Sequence, residues 1–175
     1  MMMKYALAIL IPLAIVACEQ DESQNQKDTE RYTQHSDEID SYKKTIRAYE
    51  DGNWEIFVAS FSDSARIYHN TENNFLTPAE LVAAHQRNLE MIESYELLDD
   101  KEEMEMVVND DDETWVNYWG VWSAKVSGSG NMIELPIHLT AQFENGKIKK
   151  EYGYYDNSIV MAAMEEPGDS LALEN

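Results

Sequence analysis

Cysteine is almost absent: Cys18 is the only one in 175 residues. A single thiol forms no disulfide framework and no multi-thiolate zinc site, and its place at the end of a leader removes it as a nucleophile. Histidine is scarce, with 4 in the chain and none in an HExxH pattern, so no zinc site and no other cofactor is expected. Basic residues are also few, 13 Lys and Arg against 34 Asp and Glu, for a formal charge of −21. Such a chain is repelled by phosphate backbones, which argues against nucleic acid as a partner. The acidic runs Asp99-Asp100 and Asp110 to Glu113 lack the glycine and the closing glutamate of a calcium loop, and they read as solvated turns. Long apolar runs are missing too. The stretch Tyr5 to Val16 would reach about 18 Å as a helix, well short of the roughly 30 Å hydrocarbon core of a bilayer.

What that stretch does fit is a signal peptide, with Lys4 before it and a small residue at its end. It closes on Ile15-Val16-Ala17-Cys18, which resembles the lipobox of bacterial lipoproteins. The resemblance implies cleavage before Cys18, a diacylglyceryl thioether on its sulfur and a third acyl chain on the new amino terminus. Two or more chains anchor stably, so the expected partner is a lipid bilayer and the expected location the cell envelope, at the outer membrane. Residues 1–17 are then the signal peptide. Residues 18–36, rich in Gln, Asp, Glu, Lys and Ser, form a flexible tether. One domain of ordinary size spans 37–164, and an acidic flexible tail spans 165–175.

Within the domain, Ser36 can cap a helix over Asp37 to Glu50, where Ile39, Tyr42, Ile46 and Tyr49 recur at helical spacing. Asp51-Gly52 ends it, and Asn53 caps a shorter helix with Trp54, Phe57, Val58 and Phe61 on one face. Ala65 to His69 reads as a strand. Thr77-Pro78-Ala79-Glu80 is a capping box with proline at the first helical position, opening a helix that presents Leu81, His85, Leu89 and Ile92. From Tyr95 the period becomes two. Strands are expected over Thr114 to Ser127, Met132 to Glu144 and Lys147 to Asp156, the last two joined by the hairpin turn Asn145-Gly146. A short helix follows over Ser158 to Met164. Helices first and an antiparallel meander after them predict an α+β fold with the helices on one face of the sheet.

Three strings in this order, Tyr49-Glu50-Asp51-Gly52-Asn53-Trp54, Phe61-Ser62-Asp63 and Phe143-Glu144-Asn145-Gly146-Lys147-Ile148, run on to Tyr155-Asp156. Together they resemble the nuclear transport factor 2-like (NTF2-like) superfamily, and within it the SnoaL-like branch, over Asp37 to Met164. The resemblance implies a cone: a six-stranded, strongly curved sheet wrapped on helices, with an interior pocket and frequent dimerisation through the sheet. Members range from isomerases and cyclases to proteins without known chemistry, so the fold leaves the function open.

Carried back from Asn145-Gly146 without interruption, the hairpin register sets Leu139 opposite Tyr152, Ile137 opposite Tyr154 and Leu135 opposite Asp156. The interior face then holds Tyr152, Tyr154 and Asp156, with Lys150 as a misfit. Two readings of Asp156 compete: a cap for the following helix, or a carboxyl in the pocket whose pKa the apolar walls raise. In the second, Asp156 moves a proton and Tyr154 or Tyr118 donates a hydrogen bond. Tyr118 and Trp122 are expected on the pocket wall, and Trp115 and Trp119 outside. His69 and His85 are pocket candidates that serve equally as satisfied core histidines. His138 falls outside on this register but a bulge near Pro136 would bring it in. Three functions remain: binding of a small apolar or aromatic ligand, which the apolar interior favours; an isomerase, cyclase or hydratase built on Asp156; and an interaction or homodimer surface on the outer sheet.

Overall fold

The computed structural model describes residues 31–165; the signal peptide, Cys18, most of the expected tether and all of the acidic tail after Glu165 lie outside the described residues. The Ser36 hydroxyl accepts the Ile39 N–H and caps α1, Asp37–Glu50, whose first turn carries Asp37, Glu38 and Asp40 against the positive helix end. Its stripe of Ile39, Tyr42 and Ile46 is buried. Asn53 caps α2, Trp54–Ala59. This helix buries Phe57 but leaves Ile56 and Val58 exposed, and Phe61 belongs instead to strand β2, Phe61–His69. The Thr77–Glu80 capping box opens α3, Pro78–Leu89, as the spacing predicted. No helix among the described residues is long and apolar enough to cross a membrane.

The remaining strands are β1 (Tyr32–Thr33), β3 (Ile92–Leu97), β4 (Glu103–Val108), β5 (Thr114–Val126), β6 (Met132–Glu144) and β7 (Lys147–Tyr155), with α4 (Asn157–Glu165) after them. They form one seven-stranded sheet in the order β1-β4-β5-β6-β7-β2, and β3 pairs with the far half of β5. All pairs are antiparallel except β2 with β7. The α+β cone is therefore present, with one strand more than the six the resemblance implied. That strand corrects the tether: Tyr32 and Thr33 pair with Val107 and Met106, and Arg31 reaches the Val108 carbonyl and Asp110. The open edge of β4 offers unpaired backbone groups, and the chain before α1 satisfies them.

The turn at Asn145-Gly146 forms as expected, both residues at positive φ (53° and 74°) in the manner of a type I′ hairpin. Glu144 pairs with Lys147 and Phe143 with Ile148. The next pair is Gln142 with Lys150, so Lys149 is an extra residue and β7 carries a bulge. Beyond it Ala141 faces Glu151, Leu139 faces Gly153 and Ile137 faces Tyr155. The uninterrupted register is thus wrong by one residue over most of β7. Glu151, Gly153 and Tyr155 point inward, while Lys150, Tyr152 and Tyr154 point outward. An unbroken register would have put Lys150 on the apolar face; the bulge turns it outward and brings in Glu151, which finds donors there in Tyr42 and His69.

Candidate functional site

Inside the cone, between the sheet and α1, α3 and α4, lies a cavity of about 290 Å³. Most of its wall is apolar: Ile46, Leu89, Leu97, Leu135, Ile137 and Leu139 contribute, with Phe57 and Trp122. Met91 and Met161 line it as well while standing about half exposed, and so mark its mouth. The polar part of the wall includes His69, His85, Glu151 and Tyr155, with Thr45, Asn88 and Asn157.

Glu151 is the buried carboxylate of this wall, 4% exposed. Its Oε2 accepts the Tyr42 hydroxyl at 2.7 Å, and its Oε1 lies 3.1 Å from His69 Nε2. The other nitrogen of that ring, Nδ1, lies 3.1 Å from the Tyr155 hydroxyl. One tautomer serves both contacts of His69, with Nε2–H donating to the carboxylate and Nδ1 accepting from Tyr155. The local sequence explains how the ring is held. Glu151, Gly153 and Tyr155 alternate on the inner face of β7, and His69 on the parallel neighbour β2 pairs with Gly153. A Cβ at Gly153 would stand 2.6 Å from His69 Cδ2 and 2.9 Å from Nε2, so only glycine lets the imidazole lie across the strand between its two partners. Burial, and then the charge of Glu151, push both the Tyr42 and the Tyr155 hydroxyl pKa up, which keeps them donors.

His85 projects from α3 into a ring of aromatics. Its centroid is 4.8 Å from Tyr49, 6.0 Å from Phe57 and 6.3 Å from the stacked Trp54. Burial, with a smaller push from nearby His69, takes its pKa down to about 3. The unfolded chain therefore binds this proton at mild acidity while the folded chain does not, and stability falls as pH drops below about 6.5 toward 3. Relative to His85→Phe, the wild type is expected to lose about 2 kcal/mol between pH 7 and pH 5, read from urea midpoints at the two pH values. Equal losses in both proteins would remove the assignment.

The other residues singled out from sequence are distributed differently. Trp122 lines the cavity, its buried indole N–H beside the Tyr49 hydroxyl but without a hydrogen-bond acceptor in good geometry. Tyr118 is fully buried, but its hydroxyl runs beneath Gly120 to Glu102 at 3.0 Å and stays off the cavity wall. Tyr152 and Tyr154 stand outside, a correction that follows from the bulge. His138 is also outside, stacked between Trp119 at 4.9 Å and Tyr154 at 6.1 Å, with Nδ1 on the Tyr118 carbonyl. Asp156 is exposed just past the end of β7. Its carboxylate accepts the Ser158 N–H at 2.9 Å, and hydrogen bonds from the side chain and backbone of Ser158 hold its pKa below the usual value. It caps α4, and the reading that made it a pocket acid is overturned. Glu151 and Tyr155, by contrast, were missed, the alternation Glu-x-Gly-x-Tyr being the one cue to them, and Tyr42 was read only as part of the apolar stripe of α1.

No family model matches the sequence, and no curated protein matches it either. Solved structures share the fold at low identity. A protein of ketosteroid isomerase-like fold from Catenulispora acidiphila DSM 44928, in complex with trimethylamine, is similar with a TM-score of 0.57 and 17% identity, over 74% of this chain and 95% of that one. An NTF2-like protein of unknown function from Burkholderia pseudomallei K96243 is similar with a TM-score of 0.60 and 13% identity, over 75% and 100% of the two chains. A protein named as a SnoaL-like polyketide cyclase from Shewanella putrefaciens CN-32 gives 0.57 and 14%, over 74% and 97%.

Proposed function

We propose that this chain, whose described residues have the NTF2-like cone fold, is a binding protein that holds one small, largely apolar molecule in its interior. The cavity carries this reading. An apolar cavity of about 150 Å³ is enough for benzene, so about 290 Å³ has room for a molecule of two fused rings. Aliphatic walls with a few placed polar groups are what such ligands select. The Glu151–His69–Tyr155 network supports binding over proton transfer, because both carboxylate oxygens and both ring nitrogens are already engaged with the protein. The similar cone from Catenulispora acidiphila is in complex with a small organic molecule, trimethylamine.

The test is a titration of the unlipidated mature chain, residues 18–175, with 2-methylnaphthalene, followed by the methyl resonances of Ile46, Leu97, Leu135 and Ile137. Saturable shifts at these methyls are expected, and Leu135→Trp should abolish them by filling the cavity. A titration that moves none of them would sink the reading. We further propose that lipid on Cys18 holds the domain at the cell envelope. Labelled palmitate should then enter the wild-type chain and not Cys18→Ser; label in both, or in neither, would refute the anchor.

A further inference from the structure

Resting on the binding reading above, the geometry points to His85 as the polar anchor of the ligand, and to a ligand that carries one neutral oxygen, a hydroxyl or a carbonyl. His85 lies on the cavity wall. Among the described residues neither of its ring nitrogens makes a hydrogen bond to protein, and neither is sealed from solvent. The contrast with His69 is direct, since both nitrogens of that ring are taken by Glu151 and Tyr155. The ring is fixed from several sides by Tyr49, Trp54 and Phe57. It cannot turn away to find a partner, and what remains open to it is the cavity.

The chemistry of the anchor selects the ligand. A neutral imidazole offers one N–H donor and one lone pair, which a hydroxyl can meet either way and a carbonyl can meet as acceptor. Burial takes the ring's pKa down to about 3 and so keeps it uncharged at neutral and mildly acidic pH. A neutral ring gives an anion no counter-charge, and the buried Glu151 carboxylate on the same wall repels one. An ammonium group would feel the Glu151 charge but would lose its hydration against a mostly apolar wall, where each Glu151 oxygen already accepts one hydrogen bond, from Tyr42 or His69. A plain hydrocarbon fills the aliphatic part but leaves the imidazole unpaired, at the penalty of a buried polar group without its bond.

The experiment compares three naphthalenes of one shape and different polarity with one small cation. The unlipidated mature chain is titrated at pH 7 with 2-naphthol, 2-methylnaphthalene, 2-naphthoate and trimethylammonium. We expect 2-naphthol to bind about tenfold more tightly than 2-methylnaphthalene, the margin of one well-made hydrogen bond. The two charged probes should be the weakest. The preference should disappear in His85→Phe. In the wild type, the His85 ring 15N resonances should move with 2-naphthol and stay in place with 2-methylnaphthalene, a readout that does not require any variant to fold. Equal affinity of the two neutral probes, still His85 nitrogens, or tighter binding of trimethylammonium would overturn the anchor while leaving the cavity a binding site. Failure of every probe to bind would instead overturn the binding reading itself.

Discussion

Gly153→Ala is expected to destabilise the domain by about 3 kcal/mol and to lower its melting temperature by about 10 °C, a large effect for one added methyl group. The methyl would occupy the space now held by the His69 ring, 2.6 to 3.0 Å from three of its atoms. Either the strand moves or the ring does. The strand is paired on both sides, with β6 and with β2, so the ring is the part that yields. Displacing it breaks two hydrogen bonds at once and leaves Glu151 with one donor instead of two. The check is a thermal melt alongside the ring 15N shifts of His69, which should lose the signature of a fixed tautomer. A companion substitution separates strain from lost bonding: His69→Ala with Gly153→Ala should be barely less stable than His69→Ala alone, because the collision is gone. A double variant as damaged as the sum of the two singles would contradict the cradle.

Glu151→Ala should be the more damaging change at the same site, by about 3 to 4 kcal/mol. It strands the Tyr42 hydroxyl, which lies on a fully buried side chain, and removes the acceptor of His69 Nε2–H. Glu151→Gln should lose only about 1 kcal/mol. Its amide oxygen still accepts from Tyr42, and its NH₂ can donate to His69 if the imidazole switches tautomer and gives Nδ1–H to Tyr155. A double-mutant cycle in urea settles the coupling. Tyr42→Phe should cost about 1 to 2 kcal/mol in the wild type and close to nothing beside Glu151→Ala. Equal losses in the two backgrounds would mean that the 2.7 Å contact contributes nothing to stability.

The parts of this molecule that could be read from sequence are those fixed by neighbours in the chain. Ser36 and Thr77 cap helices because a side-chain oxygen reaches an N–H three residues on. Asn145-Gly146 turns because both residues tolerate positive φ. Such signals carried the order of elements and hence the cone. The candidate site was much less legible, because it depends on parity across a strand. A bulge at Lys149 has no strong local signature, and without it the alternation in β7 selects the opposite side chains. Tyr152, Tyr154 and Asp156 were assigned inward on that basis, and Glu151 outward. The glycine between Glu151 and Tyr155 was the warning. A strand facing an apolar core on that parity gains nothing from a glycine, unless another side chain lies across it. His85 was legible as an inward residue of α3, but its lack of a partner could be known only once every neighbour had been placed.

One inserted residue decides what kind of interior this cone has. With Lys149 looped out, the last strand contributes an acid, a gap and a phenol to the cavity. Pairing Lys149 into the ladder opposite Gln142, instead of looping it out, would slide the other half of the same strand into view and exchange the wall for two phenols and a terminal carboxylate, with no substitution anywhere. Two different binding surfaces are thus written in alternate letters of a single strand. A slip of one residue in the pairing of β7 with β6, the chain itself unaltered, would be enough to trade one for the other.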